Sequence, residues 1–275
     1  MKKTVFKIGG REFDLAGRTY IMGILNVTPD SFSDGGKFNQ EDAALKHVEE
    51  MIAEGADIID VGGESTRPGH QQITEEEEII RTASMIGKIS ERFDIPISID
   101  TYKAKVASAA VQAGAGLVND IWGLKYDPGM ANLIAESGIS CCLMHNRKNA
   151  QYRNFIEDVK EELRESLSLA EQAGIARDKI LLDPGVGFGK TYEQNLEIIR
   201  RLSQLNDLGY PLLLGTSRKS VIGLALDLPV TERMEGTLVT TVFGVLAGCA
   251  FVRVHDVKEN KRAIQMAEAL QEVLK

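Results

Sequence analysis

Polar and charged side chains stand at the carboxyl ends of short apolar runs that recur along this sequence. Acids and an amide end three of the runs, at Asp100, Asn119 and Asp183, and bases follow the last two, at Lys219 and Arg253. Carboxylate and amide oxygens accept hydrogen bonds from N–H groups, whereas ammonium and guanidinium groups bind anions. If these ends meet, the sequence predicts one pocket that accepts hydrogen bonds from a ring and binds an anionic group.

The acceptors and the cations suggest two parts of one ligand. Two carboxylates and an amide suit a flat heterocycle with an amino-pyrimidinone edge, which offers adjacent N–H donors as a guanidinium does. The bases suit a phosphate, a diphosphate or a carboxylate, and they are Arg67, Arg218, Lys219, Arg253 and His255. A carboxylate at the end of any one run could instead only cap the next helix. Polar residues at the ends of all eight runs are better explained by a ligand pocket. These residues are Asn26, Asp60 with Glu64, Asp100, Asn119 with Asp120, His145 with Asn146, Asp183, Ser217 with Lys219, and Arg253 with His255.

The segment DPGVGFGKT (183–191) superficially fits a phosphate-binding loop. That loop requires a glycine at position 184, where Pro184 has a fixed φ and no N–H to offer. A dinucleotide fingerprint fails as well, because Lys190 stands where its third glycine would be. The segment therefore does not predict nucleotide binding, and we interpret Lys190 as a solvated loop charge or a helix cap.

Four other polar or aromatic residues allow more than one interpretation. His145 ends an apolar run, which favours the pocket, but no sequence neighbour pairs with it. Trp122 fits either stacking on a ligand or packing beneath the pocket. We interpret Asp60 and Asp120 as structural partners of Arg or Lys rather than as ligand groups.

The elements that would position these residues alternate between strand and helix patterns. The apolar runs are 19–25, 57–61, 95–99, 116–120, 139–144, 179–183, 211–215 and 250–254. Between them lie amphipathic helical patterns, one of which Thr74 and Glu77 would open as a capping box. Eight strands alternating with helices predict an α/β fold, a (β/α)8 TIM barrel in one domain over 1–275. Residues 5–15 alternate around Gly9-Gly10, which predicts an N-terminal β-hairpin.

An open, doubly wound sheet is the alternative fold. It would be expected to carry a glycine-rich fingerprint after its first strand, where this chain has NVTPDSFSDGG. The segment 234–250 is apolar nearly all round, which indicates a buried helix and makes a homodimer plausible. The terminal segment 257–274 predicts a last amphipathic helix.

Composition excludes several classes of protein. The 275 residues are 43% hydrophobic and 26% charged, as in a globular protein with a sizeable core. With 32 basic and 40 acidic residues the net charge is −8, which disfavours a nucleic-acid partner. Cys141, Cys142 and Cys249 lack metal-ligand spacing and fit buried thiols of a reducing cytosol. No signal peptide or membrane span is predicted, so we expect a cytoplasmic protein.

Seven blocks of sequence closely resemble the signature blocks of the bacterial dihydropteroate synthase family, in the same order and spacing along nearly the whole chain. They are MGILNVTPDSFSDGG (22–36), DVGGESTRPG (60–69), SIDTYKAKVA (98–107), VNDIWG (118–123), DPGVGFGK (183–190), GTSRKS (215–220) and VRVHD (252–256). The resemblance implies condensation of 6-hydroxymethyl-7,8-dihydropterin diphosphate with 4-aminobenzoate in folate synthesis. It implies Mg2+ as cofactor and sulfonamides as competitors of the aminobenzoate.

The resemblance also implies a role for individual residues. The pterin would contact Asp100, Asn119, Ile121, Met144, Asp183, Phe188, Gly215 and Lys219. The diphosphate would contact Asn26, Thr66, Arg67, Arg253 and His255, with Asn26 also ligating Mg2+. The aminobenzoate would contact Phe32, Pro68, Lys219 and Ser220, and the catalytic groups would be Asp34, Lys219, Arg253 and His255. The loops 27–38 and 63–72 would close over both substrates.

Three other functions compete with this one. A methyltetrahydrofolate-binding methyltransferase would use a similar Asp/Asn/Asp slot but has no need of the cations in TSRKS and VRVH. A Schiff-base aldolase would use Lys219 as its nucleophile. A pterin-binding protein without activity would not need groups that stabilise a leaving group.

Overall fold

The computed structural model describes residues 5–28, 37–64 and 72–273, and the strands follow the predicted runs. The first two strands, β1 (Val5–Ile8) and β2 (Arg11–Asp14), pair antiparallel around Gly9-Gly10 as the predicted hairpin. The parallel strands are β3 (Tyr20–Asn26), β4 (Ile58–Gly62), β5 (Ile97–Asp100), β6 (Leu117–Asp120), β7 (Ser140–Met144), β8 (Ile180–Asp183), β9 (Leu213–Gly215) and β10 (Phe251–Val254). Each lies within two residues of its predicted run, because a strand buried on both faces is apolar throughout.

The eight parallel strands form a barrel. Their order is β8-β7-β6-β5-β4-β3-β10-β9, so the first parallel strand pairs with the last. The two edges meet at a bridge between Leu182 and Leu212, next to a hydrogen bond of 3.0 Å from Leu182 N to Pro211 O. We call this junction of β8 and β9 the seam. The predicted (β/α)8 barrel with an N-terminal hairpin is confirmed.

Helices follow the strands on the outside of the barrel. They are α1 (Lys37–Glu54), α2 (Glu75–Arg92), α3 (Ala104–Gln112), α4 (Met130–Ser137), α5 (Phe155–Ala173), α6 (Tyr192–Arg200), α7 (Ser220–Leu226), α8 (Met234–Leu246) and α9 (Val257–Val273). Across residues 5–28, 37–64 and 72–273, every helix falls short of the length or the apolar character needed to cross a bilayer.

One helix start and one helix face differ from the prediction, and a second helix start has a cap that was not predicted. The Thr74 side chain accepts from Glu77 N at the start of α2, but the Glu77 carboxylate pairs with Arg81 instead of completing a capping box. A complete capping box opens α6, between Thr191 and Gln194. Helix α8, predicted to be buried, exposes part of its apolar surface in the single chain.

The hairpin closes the amino-terminal end of the barrel. Phe6, Ile8 and Phe13 are at most 2% exposed and pack on the first residues of the barrel strands. Phe251 at the start of β10 lies with its ring centroid 6.0 Å from that of Phe6 and 5.4 Å from that of Phe13. Ser140 Oγ donates to Lys7 O over 2.6 Å and ties the hairpin to β7. Apolar side chains of the hairpin thus cover the first residues of the strands, and barrels of this kind bind ligands at the carboxyl end.

Gly116 allows the hairpin turn to approach the barrel. A Cβ on Gly116 would lie 2.5 Å from Gly9 N and 2.8 Å from Gly9 Cα, both rigid backbone atoms. We expect Gly116→Ala to lower the free energy of unfolding by about 1–3 kcal/mol, the usual cost of overpacking. Urea unfolding followed by circular dichroism measures the change.

Gly87 in α2 provides the matched control, because a Cβ there would meet no atom within 4 Å. Gly87→Ala should leave the stability unchanged or raise it by up to about 1 kcal/mol, as alanine favours a helix. Equal stability of the two variants would contradict the contact between Gly116 and the hairpin.

Candidate active site at the carboxyl end of the barrel

The strand register brings the predicted polar residues to one end of the barrel. Asp100 at the end of β5 lies opposite Asn119 on β6, and Asp183 at the end of β8 lies opposite Met144 on β7. Arg253 on β10 lies opposite Gly215 on β9. Asp100, Asn119 and Asp183 are each 5–6% exposed. The acceptors and the base therefore share one enclosed mouth, as the sequence predicts.

Arg253 joins two carboxylates across this mouth. Its Nε lies 2.5 Å from Asp60 Oδ2, and its Nη2 lies 2.6 Å from Asp100 Oδ2. Asn119 Nδ2 donates to the same Asp60 oxygen over 3.3 Å. These four residues form the Arg253 network. Burial alone would lower the pKa of Arg253, but Asp60 and Asp100 outweigh burial and raise it, so the guanidinium stays charged.

The Arg253 network leaves acceptors unused. Within the described residues, Asp60 Oδ1, Asp100 Oδ1 and the nearby Ser98 Oγ are buried without a hydrogen-bond partner. Burial raises the pKa of Asp100 to about 7, although Arg253 acts in the opposite direction. A buried acceptor without a donor is costly, so Asp100 is suited to a ligand that supplies an N–H group.

Asp183 is held in place by the loop that follows it. Its Oδ1 accepts from Gly185 N over 2.6 Å. A Cβ on Gly215 would lie 3.7 Å from Asp183 Oδ2 and 3.9 Å from Arg253 Cβ. Glycine at position 215 therefore leaves open the space between the acid of β8 and the base of β10.

Lys219 lies beside Asp183 and against the same loop. Its Nζ donates to Val186 O and lies 4.7 Å from the centroid of the Phe188 ring. Burial lowers the pKa of Lys219 to about 8, and the negative charge of Asp183 limits this decrease. The ammonium form is thus the main species at neutral pH, where it can donate to an acceptor of a bound ring.

An apolar wall completes the mouth. Ile121 and Met144 form a buried cluster with Tyr102, and Trp122 and Phe188 pack against it partly buried. The predicted apolar residues Ile121, Met144 and Phe188 therefore share one surface next to the polar groups. Trp122 packs in the same cluster, which agrees with the packing alternative.

The remaining predicted site residues lie around the rim or outside the described residues. The Oδ1 of Asn26 lies 3.7 Å from where a Cβ on Gly62 would be, and Asp100 Cβ is equally close to that point. His255 Nδ1 lies 2.9 Å from Ser217 Oγ, and Ser220 is exposed at the start of α7. Phe32, Asp34, Thr66, Arg67 and Pro68 lie outside the described residues, as does most of the loops predicted to close.

Two interpretations from the sequence are corrected by these contacts. Arg218, which we expected to bind an anion, has a protein partner instead, because Asp256 binds its guanidinium through both carboxylate oxygens. Asp120 accepts from the backbone N–H groups of Trp122 and Leu124, at 2.8 and 2.7 Å, rather than from a cation. Asp60, by contrast, has the arginine partner that we predicted.

Lys190 was interpreted wrongly, and His145 was left open. The Lys190 ammonium is enclosed by protein acceptors, one of which is His145 Nδ1 at 2.7 Å. The imidazole, 2% exposed, turns toward Lys190 and toward Glu162 on α5. Sequence gave no sign of these contacts, since the partners of Lys190 are 45 residues away or are backbone carbonyls.

Comparison with known proteins finds close relatives over almost the full length. A family model described as pterin binding enzyme matches residues 22–255. A dihydropteroate synthase of Clostridium beijerinckii is 62% identical over 96% of this chain and 98% of its own length. A Clostridium difficile dihydropteroate synthase, crystallised in the presence of pteroic acid, is 53% identical and superposes with a TM-score of 0.92 over 94% of this chain and 98% of that one. A Xanthomonas albilineans dihydropteroate synthase with 4-aminobenzoic acid is 38% identical, with a TM-score of 0.93 over 98% and 99% of the two chains.

Removal of the Arg253 charge tests the ionic balance of the mouth. Arg253→Met leaves Asp60 and Asp100 without their cation, which should lower the free energy of unfolding by about 3–5 kcal/mol. A carboxyl whose pKa is higher in the folded than in the unfolded protein binds more protons in the folded state. Its ionisation therefore lowers the free energy of unfolding as the pH rises through the folded-state pKa. We therefore expect Arg253→Met to lower the free energy of unfolding more at about pH 8.5 than at about pH 5.5. Urea unfolding at the two pH values measures the difference.

The triple variant Arg253→Met, Asp60→Asn, Asp100→Asn is the matched control. Because it buries no unpaired charge, it should recover most of the lost stability. A loss for Arg253→Met that is the same at both pH values would contradict the ionic network.

Proposed function

This chain belongs to the pterin binding enzyme family, and we propose that it acts as a dihydropteroate synthase. It would condense 6-hydroxymethyl-7,8-dihydropterin diphosphate with 4-aminobenzoate and release 7,8-dihydropteroate and diphosphate. Identity of 62% to a relative of that activity over 98% of its length supports the assignment. The observation that carries it in the structure is the group of buried acceptors beside two cations at one mouth.

The acids and the amide form the proposed pterin slot. Asp100 and Asp183 would accept from the N–H groups of the amino-pyrimidinone edge, with the Asn119 amide between them. The unused Asp100 Oδ1 supports this, because a ring donor would satisfy it. Lys219 would donate to the carbonyl and ring-nitrogen side. The walls of the slot would be Ile121, Met144, Phe188 and Gly215.

The bases and the rim would hold the other two ligand parts. The proposed diphosphate contacts are Asn26, Thr66, Arg67, Arg253 and His255. The proposed aminobenzoate contacts are Phe32, Pro68, Lys219 and Ser220. Aryl sulfonamides have the shape of the aminobenzoate and would compete with it for these contacts.

We propose Mg2+ as the metal that accompanies the diphosphate, with Asn26 as its protein ligand. The described residues contain no group of three His, Cys, Asp or Glu side chains that could hold a metal. Mg2+ usually keeps several waters and binds through one or two protein oxygens plus substrate phosphates, so the exposed Asn26 amide oxygen fits. When bound, Mg2+ would neutralise negative charge on the diphosphate.

The residues of the mouth favour departure of the diphosphate before attack by the amine. The C–O bond to diphosphate breaks and leaves a cation on the carbon next to an electron-rich ring. Asp100 and Asp183 would stabilise positive charge on the ring, and Asp34 would act on the cation from the first loop. Arg253 and His255 would stabilise the leaving group. The amine of 4-aminobenzoate then bonds to the carbon and loses a proton, so no serine or cysteine nucleophile is needed.

Location and assembly follow from other features. Cys141, Cys142 and Cys249 are free, buried thiols, which supports a reducing, cytoplasmic location. On α8, Val239, Phe243 and Leu246 are 58%, 46% and 58% exposed. Their spacing places them on one helix face, and an exposed apolar face of this kind marks an interaction site. We propose that this face forms a homodimer.

A coupled assay of diphosphate release tests the activity directly. The protein given the pterin diphosphate, Mg2+ and 4-aminobenzoate should release diphosphate and form dihydropteroate. Asp183→Ala should abolish most turnover and weaken binding of 6-hydroxymethyl-7,8-dihydropterin by about 2–3 kcal/mol in calorimetry, because a charge-assisted acceptor is lost.

Asp178→Ala is the matched control, since Asp178 is exposed just before the opposite end of β8. It should leave turnover and binding unchanged. Absence of diphosphate release by the wild-type protein would end the synthase assignment, and unchanged pterin binding by Asp183→Ala would make that residue structural.

The dimer is tested with charges on α8. Val239→Glu with Phe243→Glu should convert a dimer to a monomer in light scattering after gel filtration, because burying two carboxylates at an apolar interface is costly. Ile80→Glu changes an apolar residue that is 73% exposed on α2 and should leave the mass unchanged. A monomeric wild-type protein would contradict the proposal.

A further inference from the structure

Lys190 lies behind the loop that follows β8, where every hydrogen of its ammonium group has an acceptor. Its Nζ lies 2.7 Å from His145 Nδ1, 2.9 Å from Gly185 O and 3.1 Å from Phe188 O. An ammonium has three donors, so these three contacts satisfy it completely. Burial lowers the pKa of Lys190 to about 7, which shows the cost of keeping a cation there.

His145 fixes Lys190 to the outside of the barrel. Because Lys190 donates to Nδ1, the imidazole proton is on Nε2, which lies 3.1 Å from Glu162 Oε2. Burial lowers the pKa of His145 to about 4, so the ring stays neutral and keeps Nδ1 as an acceptor. Glu162 is itself held by Arg147, whose Nη2 lies 3.0 Å from Glu162 Oε1. The ammonium thus connects the loop to β7 and α5.

The loop also lies close against the backbone of this support. A Cβ on Gly185 would lie 1.8 Å from His145 O, and one on Gly189 would lie 2.4 Å from Arg147 O. Tyr152 Oη donates to Gly189 O over 2.8 Å. Close backbone packing and the two carbonyl contacts of Lys190 together fix residues 185–189.

Two residues of this loop segment contact Lys219. Val186 O accepts from Lys219 Nζ, and the Phe188 ring lies against the same ammonium at 4.7 Å from its centroid. Gly185 N, next to the first carbonyl, donates to Asp183 Oδ1. A shift of the loop would therefore displace both Lys219 and Asp183.

We propose that Lys190 is a positioning residue: by holding Gly185 O and Phe188 O against His145, it sets the position of Lys219 and Asp183 in the pterin slot. Lys190 itself makes no contact with substrate. The inference rests on the proposed function, because the slot it adjusts is the one assigned to the pterin. If Lys190 only filled space, an apolar side chain of similar length would serve equally well.

Calorimetry with two separate probes tests the proposal. One probe is 6-hydroxymethyl-7,8-dihydropterin, and the other is inorganic diphosphate with Mg2+, whose proposed contacts do not involve the loop. Lys190→Met should lower affinity for the pterin about tenfold, since misplaced charge-assisted hydrogen bonds are weaker. Affinity for diphosphate should stay within about twofold. Lys148→Met removes an exposed lysine near the same rim and should change neither affinity.

A second pair of variants tests the contact if Lys190→Met does not fold. His145→Asn keeps an oxygen acceptor near the position of Nδ1, whereas His145→Leu removes it. We expect His145→Asn to bind the pterin nearly as the wild type does, and His145→Leu to resemble the expected Lys190→Met.

The outcomes separate the two proposals. A wild-type protein that binds no pterin would overturn the proposed function and this inference with it. Wild-type pterin binding together with unchanged binding by Lys190→Met, or by His145→Leu where that variant is used, would overturn the inference alone. Equal loss for pterin and diphosphate, with a lower melting temperature, would also overturn it by making the role purely structural.

Discussion

The charge balance inside the barrel mouth is the constraint on which the site depends. Three carboxylates, those of Asp60, Asp100 and Asp183, face two cations, Arg253 and Lys219, so with all groups ionised one negative charge remains. Burial raises the pKa of Asp100 to about 7, and the negative charge of Asp60 adds to this increase. A ring with several N–H donors, on which positive charge would develop during reaction, would supply the hydrogen bonds and the charge that the protein leaves unmatched. The same imbalance explains why the mouth would bind a polar ring in preference to a purely apolar one.

The two ends of the barrel divide stability from chemistry. At the amino-terminal end, aromatic and aliphatic side chains of the hairpin pack against the strands and exclude water. At the carboxyl end, the strands finish in acids, amides and bases. Their burial is tolerated because each has a protein partner or lies where a ligand would supply one. Apolar packing at one end thus supports a costly polar arrangement at the other.

The sequence predicted the frame and that polar residues such as Asp100, Asn119 and Asp183 gather at one end of it, but not how they pair. Strands were predictable because burial on both faces makes their composition uniform, and polar residues at their ends stood out against it. The pairing was predicted only in kind: Asp60 was expected to meet an Arg or Lys, but not Arg253, which lies 193 positions away in the sequence. Glu78 lies in the first turn of α2, and its burial against Lys103 at 2.7 Å was not predictable because the two residues are 25 positions apart. Lys190 failed for a related reason, since two of its three acceptors are backbone carbonyls that no residue type reveals.

The seam gives the barrel one side that is joined less firmly than the others. Among the described strands, β8 and β9 share an isolated bridge, whereas each other neighbouring pair has a ladder of paired residues. Local openings of a protein favour regions in which few hydrogen bonds must break, so we expect amide hydrogens beside Leu182 and Leu212 to exchange with solvent sooner than those of β4 or β5. Asp183 and Lys219 stand on opposite sides of that junction. A ring held between them would act as a removable cross-link, and ligand concentration would then govern how often this junction opens.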